Sequence, residues 1–223
     1  GGALMDALWL CEETGAPVAR DVCLACARYR QRPACPFPPA LLRALAQSMA
    51  GETALTEAQA SAQDAGAVLL RVTSLLGCTR QAWYALHRAP PLESPGRLWA
   101  RLRGSIFHAA VESLAGAREV AEVRLVTSLA DAGVQVWVAG KVDHYDPDTG
   151  ILMDYKSINS YGRKLARLGL PKQHHIAQLW IYGWLLARAG YPYPTAGRLV
   201  YMDMGAVHGC DVAMPDPEMQ AQV

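Results

Sequence analysis

The sequence from 140 to 156 reads Gly140-Lys-Val-Asp-His-Tyr-Asp-Pro-Asp-Thr-Gly-Ile-Leu-Met-Asp-Tyr-Lys156. Residues 134–145 are rich in β-branched and aromatic side chains, and 146–150 have the composition of a turn. A second short apolar run follows at 151–156, so the whole stretch predicts a β-hairpin. Its strands carry Asp143 and Asp154, each beside apolar neighbours, which is not the pattern of a random surface charge.

The hairpin also has the residue types needed to hydrolyse a phosphodiester. Asp154 and Lys156 are two residues apart on one strand, so their side chains point to the same face. Two carboxylates can hold Mg²⁺ or Mn²⁺, which prefer oxygen ligands, and such a metal polarises a phosphate and lowers the pKa of a bound water. A lysine beside them can orient that water. The alternative is a cross-strand salt bridge on a solvated face.

Outward from the hairpin, periodicity predicts the remaining elements. Helical spacing is found over Ala40–Met49, Ser74–His87, Leu98–Leu114 and His174–Ala189. Further strands are predicted from Val120, over Arg198–Met204 and over Val207–Ala213. The segment Ser157–Lys172 reads as a polar, basic connection. This order predicts an α/β fold, a small mixed sheet flanked by helices.

Three features outside the hairpin add to the functional interpretation. His108 follows Gly104 by four residues on a predicted helix, where the glycine would admit a close backbone and the imidazole could supply a nitrogen ligand. Gln178 and Tyr182 are four apart, so they share one helix face. A third helix combines Arg80 with Trp83 and Tyr84, which suits phosphate and base contacts. Each feature has a purely structural alternative, namely core packing or a solvated charge.

The motifs occur in a recognisable order. They read Ser-x-Leu-x-Cys-x-Arg-x-x-x-Tyr, Gly-x-x-x-His, Gly-x-x-Asp, Asp-Tyr-Lys and Gln-x-x-x-Tyr, between residues 70 and 204. This ordered set resembles the RecB-like branch of the PD-(D/E)XK nuclease superfamily, which includes the CRISPR adaptation nucleases and the nuclease domains of RecB and AddB. The resemblance implies a restriction-endonuclease-like core.

The resemblance also implies roles for single residues. The metal ligands would be His108, Asp143, Asp154 and the carbonyl of Tyr155, with Lys156 as the catalytic lysine. Gln178 and Tyr182 match the motif that lines the DNA path in this family. Asp154 stands where many members have glutamate, and either residue fits the pattern. Candidate nucleic-acid contacts are Arg80, Tyr84, Arg103, Arg163 and Lys164.

The cysteines form a separate signal near the start of the sequence. Cys11, Cys23, Cys26 and Cys35 are clustered, whereas Cys78 and Cys210 stand alone. Because nothing indicates secretion, the cluster favours a metal site over disulfides, and a structural zinc site is our first interpretation. An iron–sulfur cluster and unliganded thiols are the alternatives. Many relatives of the resembled family bind an iron–sulfur cluster through one early and three late cysteines, a set that Cys78 and Cys210 cannot complete.

Composition limits the function further. The chain has 223 residues, 52% of them hydrophobic, and a formal net charge of +1, which exclude wholesale disorder and a strongly basic binder. No apolar run reaches the roughly 18 residues that span a bilayer, and no signal peptide is recognised, so we expect a cytoplasmic protein without membrane contacts. We predict three parts: a cysteine-rich module (1–39), a helix and linker (40–67) and a nuclease-like domain (68–223).

The leading hypothesis is a divalent-metal-dependent DNA nuclease that acts on single strands or DNA ends, as an exonuclease rather than an endonuclease. Its partners would be DNA and proteins of a recombination, repair, phage or CRISPR complex. The second hypothesis is a non-catalytic nucleic-acid-binding subunit of a larger assembly. The third is a phosphodiesterase of another class, such as a ribonuclease.

Overall fold

The structure is a computed structural model that describes residues 8–26, 35, 37–48, 68–87, 93–131, 134–158, 160–203 and 205–216. The chain divides into two compact units. Unit 1 comprises residues 1–57 and 88–106, and unit 2 comprises residues 58–87 and 107–223. The segment 88–106, assigned by sequence to the C-terminal domain, is thus grouped with the N-terminal unit. The linker expected within 40–67 lies, from residue 49 onward, outside the described residues.

The described helices are α1 (Arg20–Ala25), α2 (Pro39–Ser48), α3 (Val72–Leu75), α4 (Thr79–His87), α5 (Pro95–Leu114), α6 (Ser160–Arg167) and α7 (Gln173–Arg188). The strands are β1 (Leu8–Leu10), β2 (Pro17–Ala19), β3 (Val68–Arg71), β4 (Val120–Asp131), β5 (Val134–Asp146), β6 (Ile151–Ser157), β7 (Ala196–Met202) and β8 (Val207–Ala213). No helix in the described part of the chain is long and apolar enough to cross a membrane.

Unit 1 contains little regular structure and a small core. Strands β1 and β2 form an antiparallel hairpin, which is followed by α1 and α2. Its fully buried core side chains come from β1, α2 and the first half of α5: Trp9, Leu42, Leu45 and Leu98. Packing of Leu98 in this cluster explains why the start of α5 groups with unit 1. The sequence pattern did not predict the hairpin or α1.

Unit 2 is built on a mixed six-stranded sheet flanked by helices. The strand order is β3-β5-β6-β7-β8, and β4 pairs with β5 along its length. The other edge of β5 is shared between two partners. Val136–Ala139 pair with β3 in parallel, and His144–Asp146 pair with β6 in antiparallel. Strand β7 runs parallel to β6, and β8 returns antiparallel to β7, so the mixed α/β fold predicted from the sequence is confirmed at this level.

The hairpin of β5 and β6 forms as the sequence predicts. Asp146 Oδ1 accepts the backbone N–H of Asp148 at 2.9 Å, and Gly150 adopts a φ of +70°, a value that favours glycine. Two other predictions need correction. The helix expected over Ser74–His87 breaks around Gly77 into α3 and α4, and the connection expected over Ser157–Lys172 contains α6. The break has a local cause, because it falls at Gly77 and glycine disfavours a helix interior.

Gly140 lets helix α7 pack closely against β5. A Cβ at this position would lie 2.8 Å from both Leu185 Cδ1 and Tyr182 Cε1 and 3.0 Å from Val72 Cγ2. By contrast, a Cβ at Gly104 meets no described atom within 4 Å, so the close backbone expected there is not found. The close approach therefore belongs to the sheet and α7, not to α5.

We expect Gly140→Ala to lower the free energy of unfolding by about 1–3 kcal/mol, the usual cost of overpacking a core. Gly209→Ala is the matched control, because Gly209 lies on β8 and a Cβ there would be 3.8 Å from its nearest neighbour, Arg198 Cδ. Urea denaturation of both variants measures the difference. Equal stability of the two variants would contradict the close packing at Gly140.

Candidate functional site

Asp143 lies where β5 changes partners. It falls between the residues of β5 that pair with β3 and those that pair with β6, and it is buried. The backbone pairing of β5 with β6 ends at His144 and Met153. Past this pair, the link between the two strands is a side-chain hydrogen bond, in which Asp143 Oδ2 accepts the backbone N–H of Tyr155 at 2.8 Å. The carboxylate is thus held in place by the neighbouring strand.

Asp154 and Lys156 lie on the same face of β6, as predicted. Asp154 is 0% exposed, and Lys156 Nζ donates to its Oδ1 at 2.9 Å. Nζ also lies 2.7 Å from Oδ2, yet without hydrogen-bond geometry, so Oδ2 accepts no hydrogen bond from any described residue. The ammonium of Lys156 therefore lies against both oxygens of the buried carboxylate and compensates its charge.

The electrostatics of the two aspartates point the same way. Burial, followed by the charge of Asp154, raises the pKa of Asp143 to about 7, although His108 and Lys156 oppose this shift. Burial likewise raises the pKa of Asp154, against the nearby charge of Lys156. Neighbouring buried carboxylates whose pKa values are raised by burial are typical of sites that bind a divalent cation or do chemistry.

His108 joins this site through a residue that the sequence analysis did not single out. His108 Nδ1 and Glu122 Oε1 are 2.6 Å apart, and the same nitrogen is 3.5 Å from Asp143 Oδ1. Glu122 is buried on β4 and forms an ion pair with Lys141. One ligand atom from each of His108, Glu122 and Asp143 lies within 4.8 Å of the others, and this is the one such group of possible metal ligands among the described residues.

The backbone at Glu122 is unusual. Its φ is +53°, a conformation that non-glycine residues seldom adopt. Ala121 pairs with His144 and Val123 with Val142, so Glu122 stands level with Asp143 on the adjacent strand. Strained positions of this kind persist where the surrounding structure requires them, often at functional sites. In the sequence Glu122 alternates with apolar residues, which is the pattern of a charged side chain on the solvent face of a strand. Its position beside Asp143 therefore became visible only from the register of β4 and β5.

The protonation of this group follows from its contacts. The hydrogen bond to Glu122 raises the pKa of His108, assisted by the charge of Asp143 and opposed by burial. Burial opposes ionisation of Glu122, but the hydrogen bonds to His108 and Lys141 outweigh it and lower the pKa of Glu122. Glu122 is therefore a buried, ionised carboxylate directed at the imidazole.

Gln178 and Tyr182 lie on α7 close to the two aspartates. Both are buried, and Gln178 Nε2 donates to the Tyr182 hydroxyl at 2.7 Å. Burial raises the pKa of Tyr182, and the charges of Asp143 and Asp154 raise it further. The spacing of four residues thus brings both side chains to the site, with their polar groups bonded to each other.

Tyr155 is held by aromatic and polar contacts. Its ring stacks on His144 at 6.3 Å and lies 5.6 Å from the ring of Phe107, and its hydroxyl is 3.0 Å from His144 Nδ1. These contacts fix the backbone that supports Asp143. That the Tyr155 carbonyl ligates a metal stays a prediction.

The predicted nucleic-acid residues have different surroundings. On α4, the guanidinium of Arg80 lies 5.8 Å from the ring centre of Tyr84, and the neighbouring Trp83 is exposed. On α6, Arg163 forms an ion pair with Asp203, whereas Lys164 is exposed. Arg103 is half-buried on the part of α5 that belongs to unit 1. On α4 the structure thus brings an aromatic and a basic side chain together, whereas Arg163 is engaged by a carboxylate.

The residues present fit a hard divalent cation. The carboxylates of Asp143 and Asp154 are oxygen ligands of the kind that Mg²⁺ and Mn²⁺ prefer, whereas the imidazole of His108 is a ligand that many transition metals also accept. The charge of Asp154 disfavours ionisation of Asp143, and a cation between the two carboxylates would relieve that cost. The four clustered cysteines belong to unit 1, and all line one cavity there.

Comparison with family models and with curated proteins gives no match. Among solved structures, the chain is similar to the crystal structure of SSO0001, with 23% sequence identity and a TM-score of 0.49. The similarity covers 68% of this chain and 70% of that chain. At this level it carries no argument about activity.

Proposed function

We propose that this protein is a divalent-metal-dependent DNA nuclease of the RecB-like PD-(D/E)XK type. The observation that carries the proposal is the pair of buried carboxylates, Asp143 and Asp154, with the Lys156 ammonium 2.9 Å and 2.7 Å from the two Asp154 oxygens. A protein that only binds nucleic acid has no need of a buried pair of acids whose charges oppose each other.

In this proposal each residue has a defined role. Asp143, Asp154 and His108 hold Mg²⁺ or Mn²⁺, with the Tyr155 carbonyl as a further ligand, and the bound ion supplies Lewis-acid polarisation of the phosphate and a more acidic water. Lys156 orients the attacking water next to Asp154. Tyr182 and Gln178 line the wall of the site on α7.

Glu122 adds a positioning role. A carboxylate that accepts a hydrogen bond from one ring nitrogen of a ligating histidine fixes its tautomer and orientation. With Nδ1–H donated to Glu122, the other nitrogen, Nε2, keeps the lone pair that a metal requires. Lys141 keeps Glu122 ionised through the ion pair on its second oxygen.

We further propose that the substrate is DNA with accessible ends or single strands. The support is the exposed aromatic–basic surface of α4, which can stack on unpaired bases, and the basic helix α6. Proteins of a recombination, repair, phage or CRISPR assembly would be its partners.

The test is cleavage of labelled DNA by the purified full chain. We expect shortening of 5′- and 3′-labelled single strands and of blunt duplexes in Mg²⁺ or Mn²⁺, and none in EDTA. A covalently closed single-stranded circle separates exonuclease from endonuclease action. Matched RNA strands test the substrate: preferential RNA cleavage would indicate a ribonuclease. Tight DNA binding without cleavage in any metal would overturn the nuclease proposal in favour of a binding subunit.

Replacement of Glu122 by glutamine is expected to weaken the apparent Mg²⁺ affinity of cleavage about 10- to 100-fold, the usual cost of removing the partner of a ligating histidine. Much of the maximal rate should return at saturating Mn²⁺, because the ligands themselves remain. Metal titrations of the cleavage rate measure both quantities.

The matched control is Glu112→Gln, at an exposed position of α5. It should leave the metal titration unchanged. A Glu122→Gln variant with wild-type Mg²⁺ dependence would show that Glu122 has only a structural role, even if its stability were lower.

A further inference from the structure

Four cysteines from separate parts of unit 1 line a single cavity. Cys11 follows β1, Cys23 lies in α1, Cys26 comes directly after it, and Cys35 precedes α2. All four border the same cavity of about 310 Å³, together with Thr14 and apolar residues such as Val18 and Phe37. Residues spread over 25 positions are thus brought to one space by the fold.

The local backbone supports this convergence. The N–H of Cys26 donates to the carbonyl of Cys23 at 3.2 Å, which closes a turn that keeps the two neighbouring cysteines together. Cys11 is held at the other side by the hairpin: its N–H donates to Ala16 O at 2.9 Å and its carbonyl accepts the N–H of Gly15 at 2.8 Å. Two cysteines separated by two residues, as Cys23 and Cys26 are, and a cysteine at the end of a hairpin strand, as Cys11 is, are positions from which thiolates often bind one metal ion.

The thiols also influence one another. Burial, followed by the charges of Cys35, Cys26 and Cys11, raises the pKa of Cys23 to about 11. No three of the four sulfur atoms lie within 4.8 Å of one another, so binding of one ion would require the side chains to turn toward the cavity.

We propose that Cys11, Cys23, Cys26 and Cys35 form a tetrathiolate site for Zn²⁺ that stabilises the fold of unit 1. Soft thiolates select zinc over the hard cations that suit the carboxylate site of unit 2. Each thiol releases its proton on binding, so that one Zn²⁺ replaces four protons. The site compensates for a small core, which has four fully buried apolar side chains among the described residues of unit 1.

The site is tested by measuring the metal content of the full chain after purification without added metal. We expect about one zinc per chain, and a loss of most of it in Cys23→Ser and in Cys26→Ser. The matched controls are Cys78→Ser, at an exposed position, and Cys210→Ser, at a buried position on β8. Both should keep the zinc.

A second measurement does not depend on any variant being well folded. Cobalt exchanged into the wild-type protein should give the visible absorption of tetrahedral thiolate coordination, and a thiol reagent should find four fewer reactive cysteines before chelation than after it. Equal amounts of iron and acid-labile sulfide in place of zinc would overturn the proposal. So would a metal-free protein whose four thiols all react in the native state. Neither result depends on DNA cleavage, so this proposal and the nuclease proposal fail independently.

Discussion

Replacing Asp154 by asparagine is expected to lower metal-dependent DNA cleavage by at least about a thousandfold while leaving the fold intact. The substitution removes one negative charge and keeps the shape of the side chain, at a carboxylate that is fully buried and ion-paired with Lys156. A metal site contributes several kcal/mol to transition-state stabilisation, and about 4 kcal/mol corresponds to about a thousandfold in rate. Single-turnover cleavage of a labelled strand at saturating DNA measures the loss.

The control for this prediction is Asp211→Asn on β8. Asp211 is 77% exposed and its Oδ1 accepts a hydrogen bond from Arg198 Nε at 2.7 Å, so it is an ordinary surface aspartate. We expect it to cleave like the wild type. If Asp154→Asn kept more than about a tenth of the wild-type rate, with thermal unfolding unchanged, the buried aspartate pair could not be the metal site.

Replacing Asp143 by asparagine is expected to stabilise the metal-free protein at alkaline pH, by about 1–3 kcal/mol at pH 8. The pKa of Asp143 is raised by burial and by the charge of Asp154. Its ionisation in the folded state therefore costs free energy, and a neutral amide that still accepts the N–H of Tyr155 avoids that cost. Function and stability are expected to oppose each other at this residue.

The pH dependence follows from the direction of the shift. Because the folded pKa of Asp143, about 7, lies above its unfolded value, its contribution to stability is present in acid and is lost as the pH rises toward 7. The wild type in EDTA should thus lose more stability between pH 5 and pH 8 than Asp143→Asn. Urea denaturation at the two pH values measures this.

Magnesium provides the complementary measurement. A cation that binds the folded state alone stabilises it, so Mg²⁺ should raise the midpoint of unfolding of the wild type and do so much less for Asp143→Asn. In Asp211→Asn the same additions should act as in the wild type, because that carboxylate is exposed and paired. A variant that is less stable than the wild type in EDTA at pH 8 would contradict this reading of the site.

Much of unit 2 could be predicted because its signals are local. The turn at 146–150 joins two strands with adjacent sequence, so composition alone predicts their pairing and the approach of Asp143 to Asp154. Lys156 contacts Asp154 because the two residues are two apart on a strand, and Gln178 contacts Tyr182 because they are four apart on a helix. In each case the chain itself sets the distance, because the period of a strand or a helix fixes which side chains share a face.

Other features depend on contacts between distant segments. Glu122 reaches His108 only because β4 pairs with β5 in a register that sets it level with Asp143, and because its backbone takes a left-handed conformation. Likewise, β3 inserts beside the first half of β5 from more than 60 residues away in the sequence. No local pattern encodes these contacts, since register between distant strands is decided by packing of the whole sheet.

The sequence by itself determined the hairpin, the paired aspartates, the lysine beside them, the main helices and the cluster of four cysteines. Tertiary structure decided the division that assigns 88–106 to unit 1 and the approach of the Glu122 carboxylate to His108. The physical reason is the same throughout. Periodicity and turn composition act over a few residues, whereas burial and strand register are properties of segments that meet only when the chain has folded.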